Sequence, residues 1–310
     1  MTVVVAGFGF MGMTHTLNIL GNKDLELAAV VDARPDLIEG KLNSETGNIS
    51  TGKISGKDIE GIRKYSDLDT CLHSEEADAV IICTHTHLHY EMTKLALDHN
   101  KHVFVEKPFT ATVAQAKELC EIAAKKNLKI MVDHTFLFTG AVRKIKELIQ
   151  EGSLGKLYYY DSMRVNLGLF QHDVNVVWDL APHDFAIMDF VIPEKPLALS
   201  ATGEIHYNGY EDVAYVTVYC ENNVIAHFNV NWLSPVKVRT TLIGGEKKML
   251  VWNDLEPDEK IKVYDKGVQV KTKEGKYNLL VNYRSGDMWA PKVEQTEALK
   301  LIAEKFVDYV

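Results

Sequence analysis

Up to residue 133 the chain alternates short apolar runs with amphipathic stretches. TVVVA at Thr2 to Ala6, AVIICT at Ala79 to Thr84 and HVFVE at His102 to Glu106 show no in-out alternation, the pattern of strands buried on both faces of a parallel sheet. A further strand ends at Asp32, and Ile130 to Val132 closes the series. Between them Met92, Leu95, Ala96 and His99, then Val113, Ala116, Leu119 and Ala123, recur at helical spacing. Pro35 with Leu37, Ile38 and Leu42 predicts another helix, and Ser66 caps a short one through Leu72. Thr46 to Gly61, rich in Gly, Ser and Lys, predicts an exposed loop. This alternation predicts a doubly wound α/β domain over residues 1–133, with right-handed crossovers.

From Leu157 onward the pattern changes to longer alternating strands: LYYYDSMRV, DVAYVTVY, VIAHFNVNW, RTTLIG, KMLVW and KIKVYD. Short turns such as Glu221-Asn222-Asn223 join them, so residues 134–310 predict a second α/β domain with a large, mostly antiparallel open sheet. Helices at about Gly140 to Glu151 and Leu180 to Val191 cover one of its faces. The other face must be hidden, which predicts a homodimer or homotetramer. Val216, Val218, Phe228, Val230 and Trp232 alternate along two strands and supply either that contact surface or the face under the helices. There is no internal repeat and no low-complexity tract.

The first strand runs into GFGFMG at Gly7 to Gly12, with Phe10 and Met11 inside the motif and a helix after it. Gly7 suits a tight turn, Gly9 a close backbone approach to a pyrophosphate, and Gly12 a close packing of helix on sheet. The positive helix end then faces phosphates. Asp32, at the tip of the second strand, stands where a carboxylate accepts bonds from an adenosine ribose. The plainer alternative is a glycine-rich turn needed only for backbone geometry. With strand, helix and distal acid together, a nicotinamide dinucleotide is the expected ligand, NAD in preference to NADP. Arg34 pulls the other way, since a guanidinium there can stack on adenine or pair with a 2'-phosphate.

Three further stretches carry possible chemistry. Glu106-Lys107-Pro108 ends the strand HVFV, where an open α/β sheet opens on its ligand crevice, and Pro108 biases Lys107 toward an extended conformation. Lys107 there is either an oxyanion-stabilising cation or an ordinary surface lysine. In Trp178 to His183, Pro182 fits a first helical turn, and Asp179 and His183 stand four apart on one helix face. They are either a carboxylate and a general base or a capping Asp with an incidental His. The run His85-Thr86-His87-Leu88-His89 allows a metal site if extended, but the helical pattern from Leu88 splays the rings apart, so no metal is expected. His134, Arg164 and Asn166 end strands where they can face a substrate, and Arg164 suits a diphosphate or other anion. Tyr158 to Tyr160 read as sheet packing.

Bulk properties narrow the partners. The 310 residues are 46% hydrophobic and 25% charged, enough for two domains with ordinary cores. A net charge of -9 and a pI near 5.7 argue against nucleic-acid or anionic-membrane partners, so any phosphate must be held locally. Cys71, Cys83, Cys120 and Cys220 form no close pairs, as in a reduced compartment. With no leader-like start and no apolar run long enough to span a membrane, the expected location is the cytoplasm.

GFGFMG, EKP and the Asp179 to His183 segment together resemble the glucose-fructose oxidoreductase and inositol dehydrogenase (Gfo/Idh/MocA) family, over nearly the whole chain. The resemblance implies a Rossmann domain, then an α/β domain whose open sheet serves in oligomer contacts, and nicotinamide-dependent oxidation or reduction of sugars. By position, Lys107, Asp179 and His183 match the family's catalytic residues. Gly7, Gly9, Gly12, Asp32 and Thr84 match its cofactor contacts, and His89 matches the histidine after its Thr-Pro-Asn segment. Phe10, Met11, Arg34, His85 and Glu106 complete the expected cofactor set.

There are departures. His85 and Thr86 replace Pro-Asn, Ala181 and Pro182 replace a glycine-containing spacer, and Gly140 stands where proline is frequent. HTFLF at His134 to Phe138, RVNLG at Arg164 to Gly168 and VWDLAPHD at Val177 to Asp184 resemble the branch acting on UDP-N-acetylhexosamines. The expected substrate is therefore a sugar or nucleotide-sugar, held by His134, Arg164 and Asn166. Inositol or a free sugar is the alternative within the family. A non-catalytic dinucleotide sensor or scaffold would keep the glycines without needing Lys107 and His183, and a metal-dependent hydrolase would leave GFGFMG and Asp32 unexplained.

Overall fold

The computed structural model describes residues 1–38, 59–168, 170–269 and 282–310. They fall into two compact units, Met1–Thr135 with Glu297–Val310, and Phe136–Thr296. Among the described residues no helix is long and apolar enough to cross a membrane.

The first unit is built on a six-stranded parallel sheet in the order β3-β2-β1-β4-β5-β6. Its strands are β1 (Thr2–Ala6), β2 (Glu26–Val31), β3 (Arg63–Tyr65), β4 (Ala79–Ile82), β5 (His102–Val105) and β6 (Ile130–Val132). Val3, Val4 and Val5 are all fully buried, so neighbouring side chains on opposite faces are both covered. Each such side chain stabilises by about 1.5–3 kcal/mol. The connecting helices are α1 (Phe10–Leu20), α2 (Leu68–Ser74), α3 (Thr86–Asp98) and α4 (Val113–Lys126). Thr112 and Gln115 form a capping box at the start of α4, and left-handed Asn127 ends it. Asp67 caps α2 where Ser66 was expected: its carboxylate accepts from the N–H groups of Asp69 and Thr70. Pro35–Leu37 makes one 3-10 turn. Leu42 and most of the expected Thr46 to Gly61 loop lie outside the described residues.

The last helix, α7 (Ala298–Tyr309), belongs to this first unit and packs beside α1, not in the second domain to which 134–310 was assigned. Its buried stripe of Leu299, Ile302 and Phe306 explains why, since Phe306 meets the edge of Phe104 at 5.4 Å.

The second unit carries an eight-stranded sheet in the order β14-β13-β12-β11-β7-β10-β9-β8. The strands are β7 (Leu157–Leu167), β8 (Pro196–Glu204), β9 (Val213–Cys220), β10 (Ile225–Asn231), β11 (Leu233–Gly245), β12 (Met249–Asn253), β13 (Ile261–Gln269) and β14 (Asn282–Trp289). Every pair is antiparallel except β7 with β10. Asn222 and Asn223 take positive φ in the turn from β9 to β10. Two helices, α5 (Gly140–Gln150) and α6 (Val176–Val191), pack with the sheet around one core. Gly140 is required where it stands, because a Cβ there would lie 2.1 Å from the Glu294 carbonyl oxygen.

Val216, Val218, Phe228, Val230 and Trp232 all lie in buried clusters with helix residues, so they do not supply an outer contact surface. The outer face instead exposes Met163, Tyr215, Tyr219, Ile225 and Leu242, the positions alternating with the buried set.

Candidate functional site

In the first unit the turn from β1 to α1 gives each glycine a distinct task. Gly7 has φ +91°, and its N–H donates to the Val31 carbonyl at 2.7 Å. Gly9 caps α1 without a side chain, and a Cβ added there would meet nothing within 4 Å. A Cβ on Gly12 would stand 1.9 Å from the Gly7 oxygen, so only glycine lets helix and turn close together. Phe10 and Met11 form the partly exposed first turn of α1. A bare backbone at an open helix N-terminus fits a pyrophosphate.

Asp32 follows β2. Its carboxylate accepts from the N–H of Phe8 and of Arg34, both at 2.9 Å, which fixes it beside the glycine turn. Arg34 turns to Asp36 in an exposed pair at 3.3 Å, a weak commitment in solvent.

The histidine run is split by α3. Exposed His85 caps the helix and stacks on His87, whereas His89 points inward. The ring of His89 lies between the carbonyls of Pro108, 2.8 Å from Nδ1, and Thr84, 3.0 Å from Nε2. It therefore ties two strand ends together, at a position where the resemblance implies a cofactor contact. Thr84 stays half-buried, its hydroxyl near the Met92 sulfur.

Glu106, also expected among the cofactor contacts, turns inward as well. It is buried, and its Oε1 lies 3.1 Å from His15 Nε2, which is also 3.2 Å from Asp133 Oδ2. Burial opposes a charged imidazole here, but the hydrogen bonds to Asp133 and Glu106 outweigh it and raise the His15 pKa to about 10. Burial and the Asp133 charge push Glu106 up, while His15 and Thr135 hold Asp133 down against its own burial. The cluster anchors the backbone one residue before Lys107. Sequence reading missed His15 and Asp133; the available signal was a polar Thr14-His15-Thr16 stretch, buried although it follows Gly12 in an otherwise apolar helix.

Lys107 follows β5, half-buried, with a cis bond to Pro108. His134 is near enough that the Lys107 charge, added to burial, lowers its pKa against the opposing pull of Asp133. The first unit thus brings Lys107 close to His134.

In the second unit α6 starts earlier than expected. Asn175 caps it by accepting from the Trp178 N–H at 3.0 Å, and Pro182 falls in the helix interior, not its first turn. Asp179 is therefore not the cap. Its Oδ2 accepts from the indole N–H of buried Trp232 at 3.1 Å. His183, four residues on along the same helix face, meets the edge of Phe136 at 4.9 Å.

Arg164, expected to suit an anionic group at its strand end, is turned inward. It is 5% exposed and holds Asp184 through both Nε (2.7 Å) and Nη2 (3.0 Å), with Ser162 donating to the same carboxylate. The reason lies in the alternation of β7: Tyr160, Ser162 and Arg164 all face α6, and Asp184 is buried on that helix. Asn166 continues that register at the half-exposed end.

The known proteins decide the family. Residues 1–134 match the model described as "Oxidoreductase family, NAD-binding Rossmann fold", and residues 142–251 match "GFO/IDH/MocA C-terminal domain". The chain belongs to the Gfo/Idh/MocA family. Among curated proteins, this Gfo/Idh/MocA chain is 35% identical over 148 residues to an uncharacterized oxidoreductase of Schizosaccharomyces pombe, covering 44% of the chain and 40% of that protein. It is 25% identical over 218 residues to myo-inositol 2-dehydrogenase of Thermotoga maritima, covering 66% and 59%. The first three curated relatives are matched over 40%, 28% and 64% of their own lengths. Among solved structures, UDP-N-acetylglucosamine 3-dehydrogenase GnnA from Acidithiobacillus ferrooxidans superposes with a TM-score of 0.75 at 20% identity, over 99% of this chain and 88% of that one. At that identity the likeness speaks for the fold of a Gfo/Idh/MocA protein.

Proposed function

We propose that this Gfo/Idh/MocA chain is an NAD-dependent oxidoreductase acting on a ring hydroxyl or ketone of a sugar, with a nucleotide-linked sugar as the favoured substrate. The observation that carries the cofactor half is Gly9, a side-chain-free helix cap open to its surroundings, with Asp32 fixed beside the same turn. The chemistry supplied by a bound nicotinamide is reversible acceptance of hydride. His183 takes the proton of the substrate hydroxyl, and Lys107 donates to the oxygen and steadies its developing negative charge. Asp179, held by the Trp232 indole, orients His183 or the substrate. These roles rest on the EKP and Asp179 to His183 motifs.

The test is a panel of UDP-sugars, free sugars and inositols assayed with NAD and with NADP, followed by His183→Ala and Lys107→Ala. Each variant is expected to lose on the order of 10²- to 10⁴-fold in turnover while NAD affinity barely changes. Near wild-type turnover in both would overturn the assignment. Turnover of inositol alone would move the substrate to the cyclitol class named for the Thermotoga maritima relative.

The same reading includes a homodimer or homotetramer in which a second copy covers the outer face around Tyr215, Tyr219, Ile225 and Leu242. Light scattering at micromolar concentration tests it, and a monomer would refute it.

A further inference from the structure

Arg164 and Arg239 stand directly opposite each other in the register of β7 and β11. Like charges so placed repel. Asp184 neutralises one of them through the bidentate bonds to Arg164. Among the described residues the ion pair of Arg239 is longer, 3.4 Å to Asp254. Two residues before it, exposed Lys237 has no carboxylate partner among the described residues, yet feels both arginines. Its pKa is lowered by partial burial and by Arg239 and Arg164, with Asp254 opposing, and Arg239 is lowered by burial and by Arg164.

Three cations, Arg164, Lys237 and Arg239, thus share two carboxylates, Asp184 and Asp254. Among the described residues one positive charge is left over, in a chain whose net charge is -9. A neutral side chain at 237 would relieve the repulsion, so stability alone gives no reason for the lysine. The position of the cluster supplies one. Both guanidinium groups lie over the ring of Phe136, at 4.7 Å for Arg164 and 5.8 Å for Arg239, and the edge of that ring meets His183. The surplus charge therefore sits one aromatic ring away from the proposed proton acceptor, within the same unit.

We propose that Lys237 and Arg239 form a subsite for an anionic group of the substrate, a phosphate or a carboxylate, a proposal that rests on the reading of His183 given above. Arg239 offers a planar fork suited to two oxygens, and Lys237 a mobile point charge. Arg164 backs them as a buried charge already paired. A neutral polyol leaves the surplus charge unmatched.

The test is calorimetric titration of NAD-saturated protein with inorganic phosphate, with D-glucuronate and with neutral myo-inositol, in wild type, Lys237→Met and Arg239→Gln. Saturation with NAD keeps the anions from the glycine turn, and only the Lys237-dependent part of the binding is scored. At least one anion is expected to bind saturably and to weaken by about tenfold or more in Lys237→Met, as for loss of a charge-assisted bond. The phosphate and glucuronate arms identify which anion it is, and myo-inositol binding should be the same in all three proteins. Lys237 is exposed and its charge is repelled by both arginines, so its replacement does not lower the melting temperature even if Arg239→Gln folds poorly. Anion binding in Lys237→Met equal to wild type, or no saturable binding of either anion, would overturn the proposal. NAD binding is read separately from tryptophan fluorescence, so failure of the cofactor reading registers apart from failure of the subsite.

Discussion

The Cβ that Gly12 lacks would lie 1.9 Å from the carbonyl oxygen of Gly7, whereas one on Gly9 would touch nothing. Two glycines three residues apart thus serve different ends, one packing and one access. Gly12→Ala should destabilise the fold by about 1–3 kcal/mol, toward the upper end because the obstacle is backbone. Gly9→Ala should leave the melting temperature unchanged and weaken NAD by about tenfold or more, since the methyl group keeps phosphate from charge-assisted backbone N–H bonds. Thermal melts and fluorescence titration of both variants check this. An unchanged NAD affinity in Gly9→Ala would mean that no ligand approaches that cap.

Asp32 bears on which dinucleotide is preferred. Its carboxylate is fixed by the Phe8 and Arg34 N–H groups, so it cannot swing away from a 2'-phosphate. At about 4 Å and an effective dielectric of 20, that repulsion is roughly 4 kcal/mol, enough to outweigh an exposed Arg34 already turned to Asp36. NAD should therefore bind more tightly than NADP, and Asp32→Ala should narrow the gap. Tighter NADP binding in the wild type would refute this.

The buried His15, Glu106 and Asp133 cluster predicts how stability responds to pH. The folded-state pKa of His15, about 10, lies above its ordinary 6.5. Its contribution is complete below about 6.5 and is lost as pH rises through 10. Glu106, also raised, acts in the same direction from its ordinary value upward, while lowered Asp133 costs stability only as pH falls through the acid range. The wild-type melting temperature should drop between pH 7 and 10, and His15→Gln, less stable at pH 7, should show a flatter profile there. Parallel curves would exclude the cluster as the source.

What the sequence showed and what it hid follow from the range of the interactions involved. Runs such as Val3 to Val5 are buried on both faces whatever the partners, so the parallel sheet was legible, as was the alternation of β9 and β10. β3 was not, because Arg63–Tyr65 is a short polar strand, and β8 was not, because all nine of its residues are exposed and no alternation is enforced. Asn175 and Asp179 are both plausible caps by composition; only the Asn175 bond to Trp178 decides between them. His15 finds Glu106 across 91 residues, and no local pattern reports such a pairing. Alternation placed Val216 and Phe228 on one face of their strands but could not say which face the helices cover.

Arg164 shows the same limit and gives the last prediction. Strand alternation puts it on the α6 side of β7, and there Asp184 accepts two of its N–H groups in a nearly dry setting. Removing one partner of a buried pair strands the other charge, at about 3–5 kcal/mol, whereas replacing both by apolar groups of similar size is often neutral. Arg164→Met should therefore unfold at much lower urea, and Arg164→Met with Asp184→Leu should recover a large part of the loss. Ser162, which donates to Asp184 at 3.1 Å, keeps the recovery incomplete by losing its acceptor in the double variant. If Arg164→Met instead keeps the wild-type urea midpoint, Asp184 must find another cation, and Arg239, directly opposite in register, is the group placed to supply it. A triple comparison including Arg239→Gln would then show the compensation as strong non-additivity between Arg164 and Arg239.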